Sequence, residues 1–146
     1  MSDGDRSIGS QYEMARDFVF SAVGQGGHTL TMDAHHGVGH EQGLLPMQAL
    51  LGALAGCVGM DVIMILRTRL QDIRSIEIVT ESEKRRNPPK EFLSIVVTFF
   101  VEGDIDADKV LHAIEVSGEK YCPVAHSLKA DVRYRLMLNH KEVAVD

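Results

Sequence analysis

One long apolar segment, residues 44–66, constrains the fold of this chain more than any other feature. Gln48 and Asp61 are its polar side chains. Pro46 stands where a helix begins at little cost, because the first turn leaves its N–H groups without intrahelical partners anyway. The pattern predicts a helix that continues to about Gln71. Since apolar and polar residues do not separate onto two faces, such a helix must lie at the centre of the fold or at a subunit interface.

The same segment is close to the length that crosses a membrane, which takes about 20 predominantly apolar residues. A charge such as Asp61 near the middle costs about 2.5–3.5 kcal/mol on insertion scales, and the glycines at 52, 56 and 59 dilute the run. The rest of the chain is typical of a compact soluble domain. We therefore expect no membrane association, and a helix that is buried on all sides in the core.

Charge and composition argue against nucleic acid as a partner. The formal net charge is −6, aromatic residues make up 5%, and the largest basic cluster is Lys84-Arg85-Arg86. A nucleic-acid binder needs a basic surface and often aromatic side chains on which bases stack. The first ten residues are polar and acidic, unlike a signal peptide. We expect a single cytoplasmic domain over residues 1–146, with residues 1–10 as a flexible tail.

The remaining pattern predicts an α+β fold with antiparallel sheets. Hairpins separated by helices favour this class over a doubly wound parallel sheet, and a Gly-rich turn is expected at residues 24–27. Strands are expected at 12–23, 28–34, 73–82, 92–101 and 130–138, and further helices at about 107–120 and 123–129.

The first cysteine, Cys57, lies within the long helix and has glycines nearby at Gly56 and Gly59. Each glycine costs about 1 kcal/mol relative to alanine inside a helix, so the pair requires a reason. One reason is the close approach of another backbone, and another is room for a ligand beside the sulfur. An inert thiol in tight helix packing is the alternative.

The second cysteine, Cys122, precedes Pro123, which favours Cys122 as the N-cap of a short helix. Its sulfur would then lie near free N–H groups and the positive end of the helix dipole, which stabilises a thiolate and lowers the thiol pKa. A cysteine that merely caps a turn is the alternative. With no secretion signal, the two cysteines argue against a structural disulfide.

Histidines offer a weaker pattern. His35, His36 and His40 lie in a Gly-rich loop, and Cys122 and His126 are four residues apart on one helix. A closed zinc site generally takes four convergent ligands, and the sequence has no CxxC spacing that would supply two of them. We expect a solvated loop, with no metal and no cofactor.

Asp61 lies one helical turn after Cys57. A carboxylate on a buried helix must find a donor. We expect an ion pair with an arginine such as Arg67 or Arg69.

Two segments resemble the OsmC/Ohr family. Residues 46–57, PMQALLGALAGC, are similar to the first-cysteine helix of that family, and residues 119–124, EKYCPV, to its second-cysteine motif. The spacing of the motifs, the Gly-rich hairpin before them and the strand pair between them agree, so the resemblance covers about residues 15–140. The stretch TESEKR at residues 80–85 resembles the YhfA-like branch of the family.

The resemblance implies an intertwined homodimer with two central helices and sheets outside. It also implies thiol-dependent reduction of organic hydroperoxides, with Cys57 as the peroxidatic cysteine, Cys122 as the resolving cysteine and an external dithiol as the reductant. Attack on a peroxide gives a sulfenic acid, which a second thiol converts to a disulfide.

The chain departs from the family at two positions. Met47 and Gln48 stand where family members carry a glutamate, and Gln48 is the residue that we assign to that role. An amide can orient a peroxide by hydrogen bonding but cannot accept a proton as a carboxylate can. The family also uses an arginine in the N-terminal hairpin, for which Arg16 and His28 are the candidates here.

Three functions follow from these observations. The first is a peroxidase that cycles a Cys57–Cys122 disulfide. The second is a protein without catalytic activity that binds a small apolar ligand in a cavity at the dimer interface. The third is a hydrolase or transferase with Cys57 as its nucleophile, although no histidine stands at a spacing that fixes it as the base.

Overall fold

The computed structural model describes residues 9–12 and 18–144 of the chain. The chain divides into two compact units, residues 1–50 and 51–146. Residues 1–8 of the expected tail, together with Arg16, lie outside the described residues. Gly9 and Ser10 were also expected in the tail, but they begin a strand. The single-domain organisation stays a prediction.

The first unit contains an antiparallel sheet of three strands in the order β1, β2, β3, namely Gly9–Tyr12, Phe20–Val23 and Thr29–Met32. Of the strand predicted over residues 12–23, the described residues show β2 at its end, while Tyr12 is the last residue of β1, which pairs with β2. The predicted turn is confirmed: the Gly24 N–H donates to the His28 carbonyl at 2.9 Å. Gly27 has a φ of 81°, which glycine adopts at little cost.

Asp33 organises the loop that follows β3. Its carboxylate accepts hydrogen bonds from the backbone N–H groups of Ala34, His40 and Gln42 at 2.7–3.0 Å. These donors, that of Gln42 above all, lower the pKa of the Asp33 carboxyl. Asp33 is only 2% exposed. The loop histidines His35, His36 and His40 are exposed, as expected for a solvated loop, and the buried Asp33 carboxylate holds the loop in place.

Helix α1 spans Pro46–Ile65, and a 3₁₀-helix continues it over Arg67–Asp72. The predicted helix is thus confirmed in extent, with a tighter final segment. Within the described residues it is the one helix that is long and apolar enough to cross a membrane.

Burial of α1 is limited to one stripe. Leu54, Val58 and Val62, spaced four residues apart, are fully buried, whereas Met60 and Met64 are 73% and 62% exposed. The prediction of a helix buried on all sides is therefore wrong for the isolated chain. Residues at i and i+4 share a face of a helix, so a single chain covers one face and leaves the other open.

The second unit is built on a sheet of four strands in the order β4, β5, β6, β7, namely Ile73–Lys84, Phe92–Gly103, Asp131–Leu138 and Lys141–Val143. β5 and β6 are parallel, while the two outer pairs are antiparallel. The predicted wholly antiparallel sheet is wrong at this pair, because the helical segment between β5 and β6 is a crossover connection that returns the chain in the same direction. Strand β7 was not predicted.

Helices α2, Ala107–Val116, and α3, Pro123–Ser127, form this crossover. The Asp106 carboxylate caps α2 by accepting the Asp108 N–H at 3.0 Å. A π-helical turn, Ser117–Tyr121, joins the two helices and replaces the last turn of the helix predicted over residues 107–120.

The core of the second unit lies along β5 and α2. Burying one such side chain fully stabilises the fold by about 1.5–3 kcal/mol. The fully buried side chains of this core include Ile95, Val97, Phe99, Val110, Ala113, Ile114 and Leu136.

Candidate dithiol site

The structure brings the two cysteines together with Asp61. The sulfurs of Cys57 and Cys122 and one carboxylate oxygen of Asp61 all lie within 4.8 Å of one another. Cys57 is half-buried on α1, and Cys122 is fully buried at the start of α3. Both are free thiols. The predicted packing of the two cysteine-bearing segments is therefore confirmed. To form a disulfide, the two sulfurs must approach each other to about 2.0 Å.

The two glycines near Cys57 have different surroundings. A Cβ at Gly56 would meet no atom within 4 Å, whereas a Cβ at Gly59 would lie 2.8 Å from Cδ1 of Ile78 on β4. Gly59 therefore lets α1 approach β4 closely, whereas the position of a Gly56 Cβ is open in the single chain. The close approach expected from the sequence thus holds for Gly59, but with a side chain rather than another backbone, and room for a ligand beside the sulfur stays a prediction.

Cys122 is the N-cap of α3, as predicted. Its sulfur accepts the Ala125 N–H at 3.3 Å, and its own N–H donates to the Ser117 carbonyl at 2.8 Å. The expected lowering of its thiol pKa is wrong, however. Burial raises the pKa of the Cys122 thiol to about 11, against the opposite effect of the Ala125 N–H, and the adjacent Cys57 adds to the increase.

Asp61 has a different partner from the one expected. Its Oδ2 accepts a hydrogen bond of 2.7 Å from the hydroxyl of Ser117, a fully buried residue. Arg69 pairs instead with Asp72 at 3.8 Å. The ion pair predicted between Asp61 and an arginine is thus replaced, within the described residues, by a hydrogen bond from a neutral hydroxyl.

Tyr134, on β6, belongs to the same neighbourhood. Its ring packs on Gly118, where a Cβ would approach the ring to 2.5 Å. Its hydroxyl is buried and has no hydrogen-bond partner among the described residues. Burial raises the pKa of Tyr134 to about 12, and the charges of Cys122 and Cys57 add to the increase. The hydroxyl therefore keeps its proton and is available to donate a hydrogen bond.

Asp61, which lies beside both sulfurs, also lines a cavity of about 390 Å³. Its walls combine apolar and charged side chains, so it can receive a molecule with an apolar body and a polar end. The residues that line it are Asp61, Met64, Ile65, Arg67 and Tyr121.

Gln48 lies in the first unit, in the first turn of α1. Its amide oxygen accepts the Leu45 N–H at 3.0 Å, so the side chain caps the start of the helix. The role predicted for Gln48 beside the cysteines stays a prediction. His28, the other basic candidate of the hairpin, is exposed.

The loop histidines have other contacts. Nδ1 of His36 lies 2.7 Å from the Glu41 carboxylate at an exposed position, and Nδ1 of His35 lies 3.0 Å from the His36 carbonyl. His126 is also exposed. In the part of the chain that the structure describes, the group of close metal-ligating atoms is Cys57, Asp61 and Cys122 rather than any set of histidines.

Sequence reasoning missed Ser117 and Tyr134, although both carry a periodic signal. Ser117 follows Val110, Ala113 and Ile114 at helical spacing on the buried face of α2. Tyr134 stands two residues before the buried Leu136, on the same face of β6. A polar residue at a buried position of either pattern is a candidate for a functional contact.

Comparisons with known proteins agree with this geometry. A family model described as OsmC-like protein matches residues 39–137. Protein YhfA of Escherichia coli (strain K12) is 35% identical over 115 residues, which cover 78% of this chain and 84% of YhfA. The resemblance expected from the two cysteine motifs is confirmed.

Solved structures share the fold. The OsmC like protein from Mycoplasma pneumoniae superposes with a TM-score of 0.77 at 16% identity, covering 93% of this chain and 98% of that one. The organic hydroperoxide resistance protein OhrB of Bacillus subtilis gives a TM-score of 0.56 at 20% identity, covering 90% and 96%. The α+β architecture with two sheets is thus common to these proteins.

Proposed function

This chain belongs to the OsmC-like protein family, and we propose that it is a cytoplasmic thiol-dependent peroxidase that reduces organic hydroperoxides. The observation that carries the proposal is the grouping of Cys57, Cys122 and Asp61 within 4.8 Å. The family includes a fold relative named for organic hydroperoxide resistance, which supports the substrate class.

Cys57 takes the peroxidatic role because it is the more accessible of the two sulfurs. Its thiolate attacks one peroxide oxygen, the O–O bond breaks, and the other oxygen leaves as an alcohol after taking a proton. Cys57 is then a sulfenic acid.

Cys122 takes the resolving role. With a pKa raised to about 11 by burial, it is protonated at neutral pH and does not compete for the peroxide. Its sulfur then attacks the Cys57 sulfenic acid, a disulfide forms, and water leaves. An external dithiol reopens the disulfide by thiol–disulfide exchange.

Asp61 supplies the base for this second step. Its carboxylate lies within 4.8 Å of both sulfurs and can accept the Cys122 proton as the disulfide forms. The Ser117 hydroxyl holds Oδ2 in place. Asp61 thus provides a carboxylate in a chain that has Gln48 where its relatives carry a glutamate.

Tyr134 supplies a hydrogen-bond donor. A buried hydroxyl without a partner leaves a donor unsatisfied at a cost of about 1–3 kcal/mol. A thiolate or a peroxide oxygen at the site would accept that proton in a hydrogen bond. The donor is neutral, unlike the arginine of other family members, so the thiolate receives less stabilisation.

The active protein is a homodimer in this proposal. Met60, Ile63 and Met64 leave a large apolar surface on α1 that is 45–73% exposed in the single chain. A contiguous apolar patch of this kind marks an interaction surface. A second copy of the chain, pairing α1 with α1, would cover it.

One further observation favours binding of an apolar ligand as a second candidate. The first unit contains a cavity of about 500 Å³ whose walls are mostly apolar. A protein without peroxidase activity could hold a small apolar molecule there. The cavity is lined by Phe18, Phe20, Met32, Asp33, Ala34 and Pro46.

The test is a thiol titration before and after one equivalent of an organic hydroperoxide. The wild type should lose two thiols per chain and form an intramolecular disulfide. Cys57→Ser should consume no peroxide, whereas Cys122→Ser should turn over once and retain a sulfenic acid. A wild type that loses no thiol with cumene hydroperoxide or hydrogen peroxide would exclude the peroxidase and leave ligand binding.

A further inference from the structure

We propose that the reduced protein binds one Zn²⁺ per chain through the sulfurs of Cys57 and Cys122 and the carboxylate of Asp61. Two thiols and a carboxylate from two segments 65 residues apart in sequence converge here within 4.8 Å. The site uses the same two thiols as the proposed peroxidase, but binding of the ion does not require that the protein reduce peroxides.

The distances suit the ion. Zn–S bonds of about 2.3 Å and Zn–O bonds of about 2.0–2.2 Å in tetrahedral geometry place the ligand atoms about 3.6–3.8 Å apart. The three ligand atoms of the reduced site are separated by at most 4.8 Å. Cys57 and Asp61 are only half-buried, so their side chains have room to rotate toward the ion.

Ser117 completes the arrangement around the carboxylate. Its hydroxyl donates to Oδ2 of Asp61 at 2.7 Å, and its carbonyl accepts the Cys122 N–H at 2.8 Å. One residue therefore orients two of the three ligands. Partners of this kind fix the direction of metal ligands, and their loss typically lowers metal affinity 10- to 100-fold.

The ligand set selects the metal. Thiolates favour Zn²⁺ and similar thiophilic ions over Mg²⁺ and Ca²⁺, which prefer oxygen ligands alone. Three protein ligands leave a fourth position for water, and the adjoining cavity beside Asp61 offers it a place. The site is thus open rather than closed.

Binding and oxidation exclude each other. Zn²⁺ displaces one proton from each thiol to give a dithiolate complex. A hydroperoxide then oxidises the two thiolates by two electrons to a disulfide: the complex, one ROOH and two protons give the disulfide, Zn²⁺, ROH and water. The disulfide has no thiolate left to bind, so oxidation releases the ion.

The experiment measures Zn²⁺ binding to reduced, full-length protein under anaerobic conditions, by competition with a chromophoric chelator. One ion per chain is expected. Asp61→Asn and Ser117→Ala should each lower the affinity at least about tenfold. The exposed Asp104→Asn is the matched control and should leave it unchanged. Co²⁺ in place of Zn²⁺ should give the near-ultraviolet charge-transfer absorption of bound thiolates.

Oxidised wild-type protein provides a comparison that needs no mutation. Its disulfide form should bind no Zn²⁺, and addition of reductant should restore binding. Absence of stoichiometric binding by the reduced wild type, equal binding by the oxidised form, or full affinity in Asp61→Asn would each overturn the proposed site. A protein that binds Zn²⁺ but reduces no peroxide would retain the site and lose only the proposed enzyme.

Discussion

The hydroxyl of Ser117 donates a 2.7 Å hydrogen bond to Oδ2 of Asp61, a residue 56 positions earlier in the chain. The contact joins the π-helical turn after α2 to the cysteine-bearing helix α1. It also fixes the carboxylate that lies beside both sulfurs. The reactivity of the Cys57–Cys122 pair should therefore depend on Ser117, which is neither a thiol nor a base.

Replacing Asp61 by asparagine should slow formation of the Cys57–Cys122 disulfide by about 100-fold, the low end of what a positioned base contributes. The amide retains a hydrogen-bond acceptor for Ser117 but cannot take the Cys122 proton. Rapid-mixing measurements of the second, resolving step report the change, and Asp104→Asn serves as the control. An unchanged resolving rate and pH profile in Asp61→Asn would remove Asp61 from the mechanism.

The free energy of unfolding should fall in alkaline solution because of Cys122. The pKa of its thiol is about 11 in the folded chain against an ordinary 9.0, so unfolding favours ionisation. This contribution is complete below pH 9 and is lost as the pH rises from 9 through 11. Tyr134 adds a similar loss between about 10 and 12. Chemical denaturation at several pH values should show a shallower fall in Cys122→Ser than in the wild type.

The two glycines near Cys57 should respond differently to alanine. Gly56→Ala should raise the unfolding free energy by up to about 1 kcal/mol, because the new methyl enters open space and alanine favours the helix. Gly59→Ala should raise the unfolding free energy by less, since its methyl group would press on the Ile78 side chain. Denaturant titration of the two variants measures the difference. Equal unfolding free energies would show that the Ile78 side chain moves aside at no cost in free energy.

Sedimentation at micromolar concentration should give about twice the chain mass of 16.1 kDa. Met60→Glu and Met64→Glu should shift the protein toward the monomer, because a charge replaces an exposed apolar side chain of α1. A charge at an exposed position elsewhere, as in Leu93→Glu, should leave the mass unchanged. A stable wild-type monomer would contradict the proposed pairing of α1.

Gln48→Glu should raise the rate of the first step, in which Cys57 attacks the hydroperoxide, by restoring the carboxylate that the family carries. Glutamate can still accept the Leu45 N–H, so the start of α1 is preserved. Gln48→Ala is the matched variant and should not exceed the wild-type rate. Single-turnover loss of thiols measures both, and a silent Gln48→Glu would assign Gln48 to helix capping alone.

Local patterns predicted much of this molecule. The apolar run beginning at Pro46, the alternation in β4 and the proline after Cys122 specified α1, a half-buried strand and a helix N-cap, because each depends on neighbours in sequence. The cysteine motifs also placed the chain in its family.

Properties set by distant contacts were not accessible in the same way. The capping geometry of Cys122 was predicted, but burial reverses its effect on the thiol pKa, and burial depends on the whole second unit. Likewise, the partner of Asp61 is a serine 56 residues away. The parallel pairing of β5 and β6 was missed because the alternation of residues in a strand does not indicate whether the strand runs parallel or antiparallel to its neighbour.

The parallel pairing of β5 and β6 affects when the two cysteines come together during folding. Ser117 and Cys122 both belong to the crossover that leads from β5 to β6. Such a connection is held in place only when the later strand docks, and pairings between distant segments form slowly because the loop entropy must be lost first. We therefore expect the first cysteine to meet its partner late in folding. A nascent chain that has not yet synthesised β6 carries two separate thiols and no reactive pair.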